Sequence, residues 1–348
     1  MINSIQIENF RCFKRLIVDD LQKFNIVVGD NSSGKTAFLE SIFLAGGHAE
    51  IVNRLKIWRG LGQFVFSGDK KGYESLWSDL FYDFSDQSQI TIALKGTAEN
   101  QRTLKIYYNP ATETPLFAEE KADVSTIVPI TFQVLDSKGK THVMRPNINT
   151  NGQLTLSGSA APHAVALCAS STMPNPQEMA ANFSQLSIEN KLDNLNKSIS
   201  NLFPEISDLS ILVTGGFPQI FCSYRGLSSK IPISLVSNGL NKLIMILLTI
   251  AKQESGIILI DEIENGFHYS KHTQVWSAII TFCERYNVQL IASSHSIECL
   301  RALRSLMENK EHSFRLLRTE VKQNGERDLR MFKGHEFESA LEMGTEFR

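Results

Sequence analysis

The chain has 348 residues, 42% of them hydrophobic, with 35 Lys/Arg against 37 Asp/Glu and a net charge of −2. That is enough apolar chain for one large domain or two modest ones, and the balance excludes a globally basic nucleic-acid binder. Five cysteines (Cys12, Cys168, Cys222, Cys283, Cys299) lack paired spacing, which argues against a disulfide framework or zinc cluster and for a reducing compartment.

The N-terminus opens on an alternating strand pattern, Ile5-Gln6-Ile7-Glu8-Asn9-Phe10, without the build of a signal peptide. Asn25-Ile26-Val27-Val28 reads as a short buried strand. The next eight residues, Gly29-Asp30-Asn31-Ser32-Ser33-Gly34-Lys35-Thr36, fit the phosphate-loop pattern of two glycines, Lys, then Ser or Thr. A helix follows from Ala37 to Leu44 with apolar residues at helical spacing. The glycines let backbone N–H groups wrap a triphosphate, and the helix N-terminus adds a favourable dipole. Lys35 would reach the β- and γ-phosphates, and Thr36 would ligate Mg²⁺. Gly29 to Ala37 are therefore the candidate residues for binding a nucleoside triphosphate.

Two alternating segments, Gln89–Leu94 and Thr103–Tyr108, predict antiparallel strands, with a further strand over Ile127–Leu135. From Asp136 to Pro176 the chain turns rich in Gly, Ser, Asn and Pro, which predicts loops. Ile188, Leu192, Leu195, Ile199 and Leu202 recur at helical spacing and predict one helix ending before Pro204. Asn190-Lys191-Leu192-Asp193 matches a guanine-reading motif, but that motif follows a buried strand in GTPases, so the match is read as coincidence.

Ser237-Asn238-Gly239-Leu240-Asn241-Lys242 opens a strongly apolar helix, Leu243 to Ala251. A Ser and a Gly at a helix N-terminus make a second anion-binding candidate. That apolar run is too short to span a bilayer, so no membrane partner is expected and the compartment is read as cytoplasmic. Gly256–Ile260 is an apolar strand ending in Asp261-Glu262. Asp261 would hold the metal's water shell, and Glu262 would polarise the attacking water. Glu264, His268 and His272 stand at i, i+4 and i+8, one face for a metal if the segment is helical, although Asn265-Gly266 is expected to break it. Val288–Ser293 is a buried strand leading to Ser294-His295-Ser296, and its end is where ligands bind in α/β sheets. Arg301 to Lys333 holds nine Lys/Arg against five Asp/Glu, a candidate DNA patch that reads more simply as a mixed-charge surface.

In order, strand–phosphate loop–helix, Ser-x-Gly helix, Asp-Glu strand and Ser-His strand resemble the ABC-type ATPase head of the SMC, RecF and OLD-like families. The small AAA-type ATPases related to OLD proteins are the nearest in pattern. Asn9–Phe13, Gly29–Thr36, Ser237–Asn241, Ile260–His268 and Ser294–Ser296 carry the resemblance, which is weak through residues 95–185. It implies an α/β P-loop NTPase of ABC-ATPase type, with a mixed sheet core, an antiparallel β subdomain and a helical subdomain. One domain is expected over 1–348: an N-terminal lobe (1–94), an insertion (95–205) and a C-terminal lobe (206–348).

The resemblance further implies that two heads sandwich two ATP molecules. Ser237 and Gly239 of one subunit would face the γ-phosphate held by Lys35 of the other, and His295 would contact that phosphate. Asn265 and Gly266 would lie near the interface, and Arg11 would stack near the base. Three departures stand out. The signature lacks the usual second glycine and glutamine. No convincing Q-loop glutamine appears, with Gln63 and Gln87 as the candidates. Little more than fifty residues follow His295, with no acidic cluster resembling a TOPRIM nuclease. The expected activity is ATP hydrolysis by a homodimer or higher oligomer that regulates a separate effector, such as a nuclease or toxin, in anti-phage defence or DNA maintenance. DNA is a possible partner. A slow ATP-dependent clamp on DNA or protein is the alternative, and a transporter head a third.

Overall fold

The computed structural model describes residues 1–46, 77–85, 88–97, 101–108, 126–127, 130–148, 154–158, 164–170, 174–334, 336–337 and 339. The chain runs β1 (Ile2–Phe10), β2 (Phe13–Val18), β3 (Phe24–Val28), α1 (Lys35–Ala45), β4 (Ile90–Gly96), β5 (Arg102–Tyr108), β6 (Thr126–Ile127), β7 (Ile130–Leu135), β8 (Thr141–Ile148), β9 (Leu154–Ser157) and β10 (Val165–Cys168). Then come α2 (Pro176–Ile188), α3 (Leu192–Leu202), β11 (Ile206–Thr214), β12 (Phe217–Tyr224), β13 (Ile231–Pro232), α4 (Asn238–Lys252) and β14 (Ile257–Ile260). α5 (His272–Arg285), β15 (Gln289–Ser293), the short α6 (Ile297–Arg301) and α7 (Arg304–Met307), β16 (Phe314–Val321) and β17 (Arg327–Lys333) complete it.

The central sheet has the order β10-β14-β15-β3-β16-β17. Every pairing is parallel except the β16–β17 hairpin at the edge. β3, β14 and β15 are buried on both faces, which is why they read as continuous rather than alternating apolar runs. Their residues alternate between two cores. Val27, Leu259, Ile291 and Leu317 face α1 and the antiparallel sheet. Ile26, Ile260, Leu290 and Leu316 face α4 and α5. The antiparallel sheet runs β2-β1-β4-β5-β7-β8-β6, with β9 on β8. A third sheet, β11-β12-β13, packs with the helices.

A buried glutamine ties the antiparallel sheet to the central one. Gln289 accepts from the Ile2 N–H at 2.8 Å and donates from Nε2 to the Ile2 and Gln22 carbonyls at 2.8 and 2.7 Å. This mixed α/β architecture is that of a P-loop NTPase, as the motifs imply.

Two sequence expectations change. The segment 136–176 is not mainly loop among its described residues. Asp136 to Lys140 is a hairpin turn, with Asp136 Oδ1 accepting from the Lys138 and Lys140 amides and Gly139 at φ 75°. β8 and β9 follow, and β10 enters the central sheet beside β14. The single helix expected across 188–202 is two helices. Asn190 takes φ 54°, breaking the run, and Ile188 is 75% exposed rather than on the apolar stripe. Asn190-Lys191 lies in that turn, before a helix instead of after a buried strand.

Candidate nucleotide site

The site gathers at the carboxyl ends of β3, β14 and β15. Gly29 leaves β3 at φ 136° and Gly34 enters α1 at φ 111°, conformations that side chains rarely adopt. Space adds to the requirement at both. A Cβ at Gly29 would overlap Thr319 Oγ1, and one at Gly34 would lie 2.9 Å from the Phe13 ring. Ser33 closes the loop by donating from Oγ to the Asp30 carbonyl at 2.6 Å. Asp30, Asn31 and Ser32 remain exposed.

The start of α1 fits an anion. Its N-cap residue, Gly34, supplies no side-chain hydrogen bond, and its first turn holds no acidic residue. The first intrahelical bond is Phe38 N–H to the Gly34 carbonyl at 2.9 Å, so the amides of Lys35, Thr36 and Ala37 precede any helical acceptor. α2, α4 and α6, by contrast, are capped by Asn175, Ser237 and Ser296. Lys35 folds back over the loop and donates to the Gly29 and Asp30 carbonyls, both at 2.8 Å. Burial pushes its ammonium below the ordinary lysine value, opposed by Asp261, Glu262, Asp30 and Glu264. Two neutral carbonyls leave that buried charge without a direct anionic partner among the described residues, as suits a phosphate site.

The donor set beside it fits Mg²⁺. Thr36 Oγ1 donates to Asp261 Oδ2 at 3.0 Å, placing a hydroxyl and a carboxylate side by side. No cluster of three or more His, Cys, Asp or Glu occurs among the described residues, so phosphate oxygens and water would complete the shell. The metal face considered at Glu264, His268 and His272 does not form. Gly266 at φ 87° interrupts the segment, and α5 begins only at His272.

The acidic pair is locked from β15. Ser293 Oγ donates to Asp261 Oδ1 and accepts from the Glu262 N–H at 2.8 Å. Glu262 is held at φ 49°, its carbonyl takes the Lys242 ammonium at 2.7 Å, and its carboxylate accepts from Asn265 Nδ2. His295 lies half exposed just beyond β15. Glu264 reaches across to it from the β14 side: Oε1 accepts from the His295 N–H at 2.9 Å and sits 3.1 Å from Nδ1. The structure thus brings Lys35, Thr36, Asp261, Glu262 and His295 to adjoining strand ends.

Ser237 and Gly239 lie apart from the loop. Ser237 Oγ caps α4 by accepting from the Leu240 N–H at 3.1 Å. Ser237 and Asn238 are exposed, while Gly239 is buried against the Gly266 carbonyl, which any Cβ would strike. No hydrogen bond or ion pair joins 237–239 to 29–36 among the described residues.

Arg11 corrects an expectation. Its guanidinium turns inward onto Glu40 of α1, 3.2 Å away, and lies over the Phe10 ring. The open face that base stacking needs is not offered. Gln63 and Gln87 fall outside the described residues. The charges of 301–333 are largely engaged locally: Lys310 with Glu284, Arg315 and Lys333 with Asp20, Lys322 with Asp328. Sequence reading missed Ser293, Lys242, Asn265 as a partner of Glu262, and Thr319, whose one hydroxyl proton is shared between Ser33 Oγ and the Val28 carbonyl, 3.0 Å away.

The Arg11–Glu40 pair carries a pH signature. Burial lifts the Glu40 carboxyl to about 7 from 4.5, with Arg11 opposing. Between those values the folded chain keeps a proton the unfolded chain has lost, so stability falls as pH rises from about 5 to 7. Glu40→Gln should flatten that fall by on the order of 1–3 kcal/mol, read from urea unfolding at pH 5 and pH 8. Parallel curves for the two proteins would show that Glu40 titrates normally.

The fold and these residues are those of a P-loop nucleoside triphosphatase, with the architecture of an ABC-type ATPase head. The chain belongs to the AAA ATPase domain family, whose model matches residues 1–153 and 140–300. An "ATP/GTP phosphatase" of Helicobacter pylori is 23% identical over 89% of this chain and 90% of its own length. A "DNA replication and repair protein RecF" of Oenococcus oeni is 42% identical over 43 residues, 12% of each chain. Among solved structures, an SMC head bound to the C-terminal winged-helix domain of ScpA superposes with a TM-score of 0.51, at 14% identity, over 95% of this chain and 98% of that one. No described helix is long and apolar enough to cross a membrane.

Proposed function

We propose that the chain is an ATP-driven switch. It closes as a homodimer around two composite ATP sites and thereby regulates a separate effector in DNA maintenance or anti-phage defence. The observation that carries this is the division of the anion-binding features. Lys35 and the bare start of α1 hold one side of a phosphate site, while the exposed, Ser237-capped start of α4 makes no hydrogen bond or ion pair with them among the described residues. A second chain supplies the natural partner for that exposed start.

In this reading the amides of the loop and Lys35 bind the triphosphate of ATP. Thr36 and Asp261 would hold Mg²⁺, which when bound would draw charge from the phosphate oxygens. Glu262 takes the proton of the attacking water, once Asn265 releases its carboxylate. His295 contacts the γ-phosphate from the end of β15. The relative named for ATP/GTP phosphatase activity supports hydrolysis, and the short RecF match supports DNA as client. DNA-stimulated turnover would favour a motor or switch over a slow clamp.

Mixing two inactive chains tests the shared site. One carries Lys35→Ala and the other Ser237→Asp. Asp still caps the helix but sets a carboxylate against the partner's γ-phosphate. Gly239 is the poorer target, because any side chain there strikes the Gly266 carbonyl of its own chain. Each variant alone should be inactive. A mixed dimer has one doubly damaged site and one intact site, so mixing should restore a measurable fraction of activity. Full activity in Ser237→Asp alone would overturn the arrangement.

A further inference from the structure

We infer that Glu264 is a positioning residue for His295, fixing the proton on Nδ1 and turning Nε2 toward the nucleotide. The inference rests on the reading of His295 as the γ-phosphate contact. It stands on a contact that crosses between two strand ends, 31 residues apart in sequence. Glu264 Oε1 accepts from the His295 backbone N–H at 2.9 Å and lies 3.1 Å from Nδ1 of the same residue. One carboxylate oxygen thus grips both the main chain and the ring.

The two side chains differ in exposure: 8% for Glu264 against 44% for His295. The carboxylate is the fixed member and the ring the presented one. A neutral imidazole carries its proton on one nitrogen only. With the proton on Nε2, the Nδ1 lone pair would face a buried carboxylate oxygen, which is repulsive. With the proton on Nδ1, the contact is a charge-assisted hydrogen bond. Nε2, on the far side of the ring, then carries the lone pair and meets the γ-phosphate through a water that donates to both.

Glu264 Oε2 is buried and has no hydrogen-bond partner among the described residues. The carboxylate also lies in the field of Lys35, Lys242 and His272. The geometry resembles that of a ligating histidine whose far nitrogen is aimed by a carboxylate behind it.

The test compares Glu264→Ala, Glu264→Gln, His295→Ala and the Glu264→Ala/His295→Ala double variant for turnover and for ATP affinity by calorimetry. Glu264→Ala should lower kcat by the same factor as His295→Ala, about 10–10²-fold for a misplaced group, with KM little changed. The double variant should lose no more than either single one, because the carboxylate acts only through the ring. Glu264→Gln keeps an acceptor oxygen in place and should restore most of kcat. Effects that multiply in the double variant, or a Gln variant as slow as the Ala variant, would overturn the proposal.

Histidine-selective ¹⁵N spectra supply a readout separate from activity. His295, identified by its loss in His295→Ala, should show the Nδ1-protonated form in wild type and Glu264→Gln. Glu264→Ala should return it to the Nε2-protonated form of free histidine. Unchanged spectra in Glu264→Ala refute the inference even if turnover falls. Wild-type turnover in His295→Ala would remove the γ-phosphate reading instead, and the spectra alone would then decide what Glu264 does.

Discussion

A Glu262→Gln chain is expected to bind ATP as the wild type does and to hydrolyse it roughly 10²–10⁴-fold more slowly, the usual worth of a positioned general base. The substitution is nearly isosteric. The backbone contacts that set the residue, Ser293 Oγ to its N–H and Lys242 to its carbonyl, do not involve the carboxylate. What is lost is the ability to take a proton. Phosphate release under saturating ATP, with affinity measured separately, checks both halves. Turnover at the wild-type rate would assign the base elsewhere.

Lys35→Ala is expected to weaken ATP binding by about 10²-fold, the scale of losing a charge-assisted contact to phosphate in a buried site. The lysine is 8% exposed and its ammonium rests on the Gly29 and Asp30 carbonyls. Removing it also strips those carbonyls of a donor, so a loosened loop could by itself weaken binding. Lys35→Arg separates the causes. It keeps the charge and the donors but is bulkier, so intermediate affinity would mark the charge as the main contribution. Wild-type affinity in a folded Lys35→Ala chain would place the phosphates outside the loop.

The phosphate loop was legible because its requirements are local. Two left-handed glycines, a lysine and a hydroxyl must fall at fixed spacing between a strand and a helix, and they do. The Asp261–Glu262 strand end was legible for the same reason. The pairing of Glu264 with His295 was not, because it depends on β14 and β15 lying side by side, an order that hydrophobic period does not encode. Thr319 stayed hidden likewise, since it meets the loop only through the β3–β16 pairing. The loop reading of 136–176 failed because turn residues outnumbered short strands. β10 is only four residues, Val-Ala-Leu-Cys, yet it forms the edge of the central sheet. The break at Asn190 escaped notice because Ile188 and Leu192 keep an i, i+4 spacing straight through it.

Thr319 has a consequence for how the molecule is made. The phosphate loop is made long before β15 and β16, yet among the described strands these are the two that β3 pairs with. The hydroxyls of Ser33 and Thr319 meet across 286 residues, and Thr319 also bonds the Val28 carbonyl. Until β15 has been made, β3 lacks both of these neighbours, and until β16 has been made it has one of the two. Such long-range closure is slow and leaves sticky surface open while it waits. A chain that ends before β15 therefore lacks the strand pairing that sets the end of β3 and the loop that leaves it.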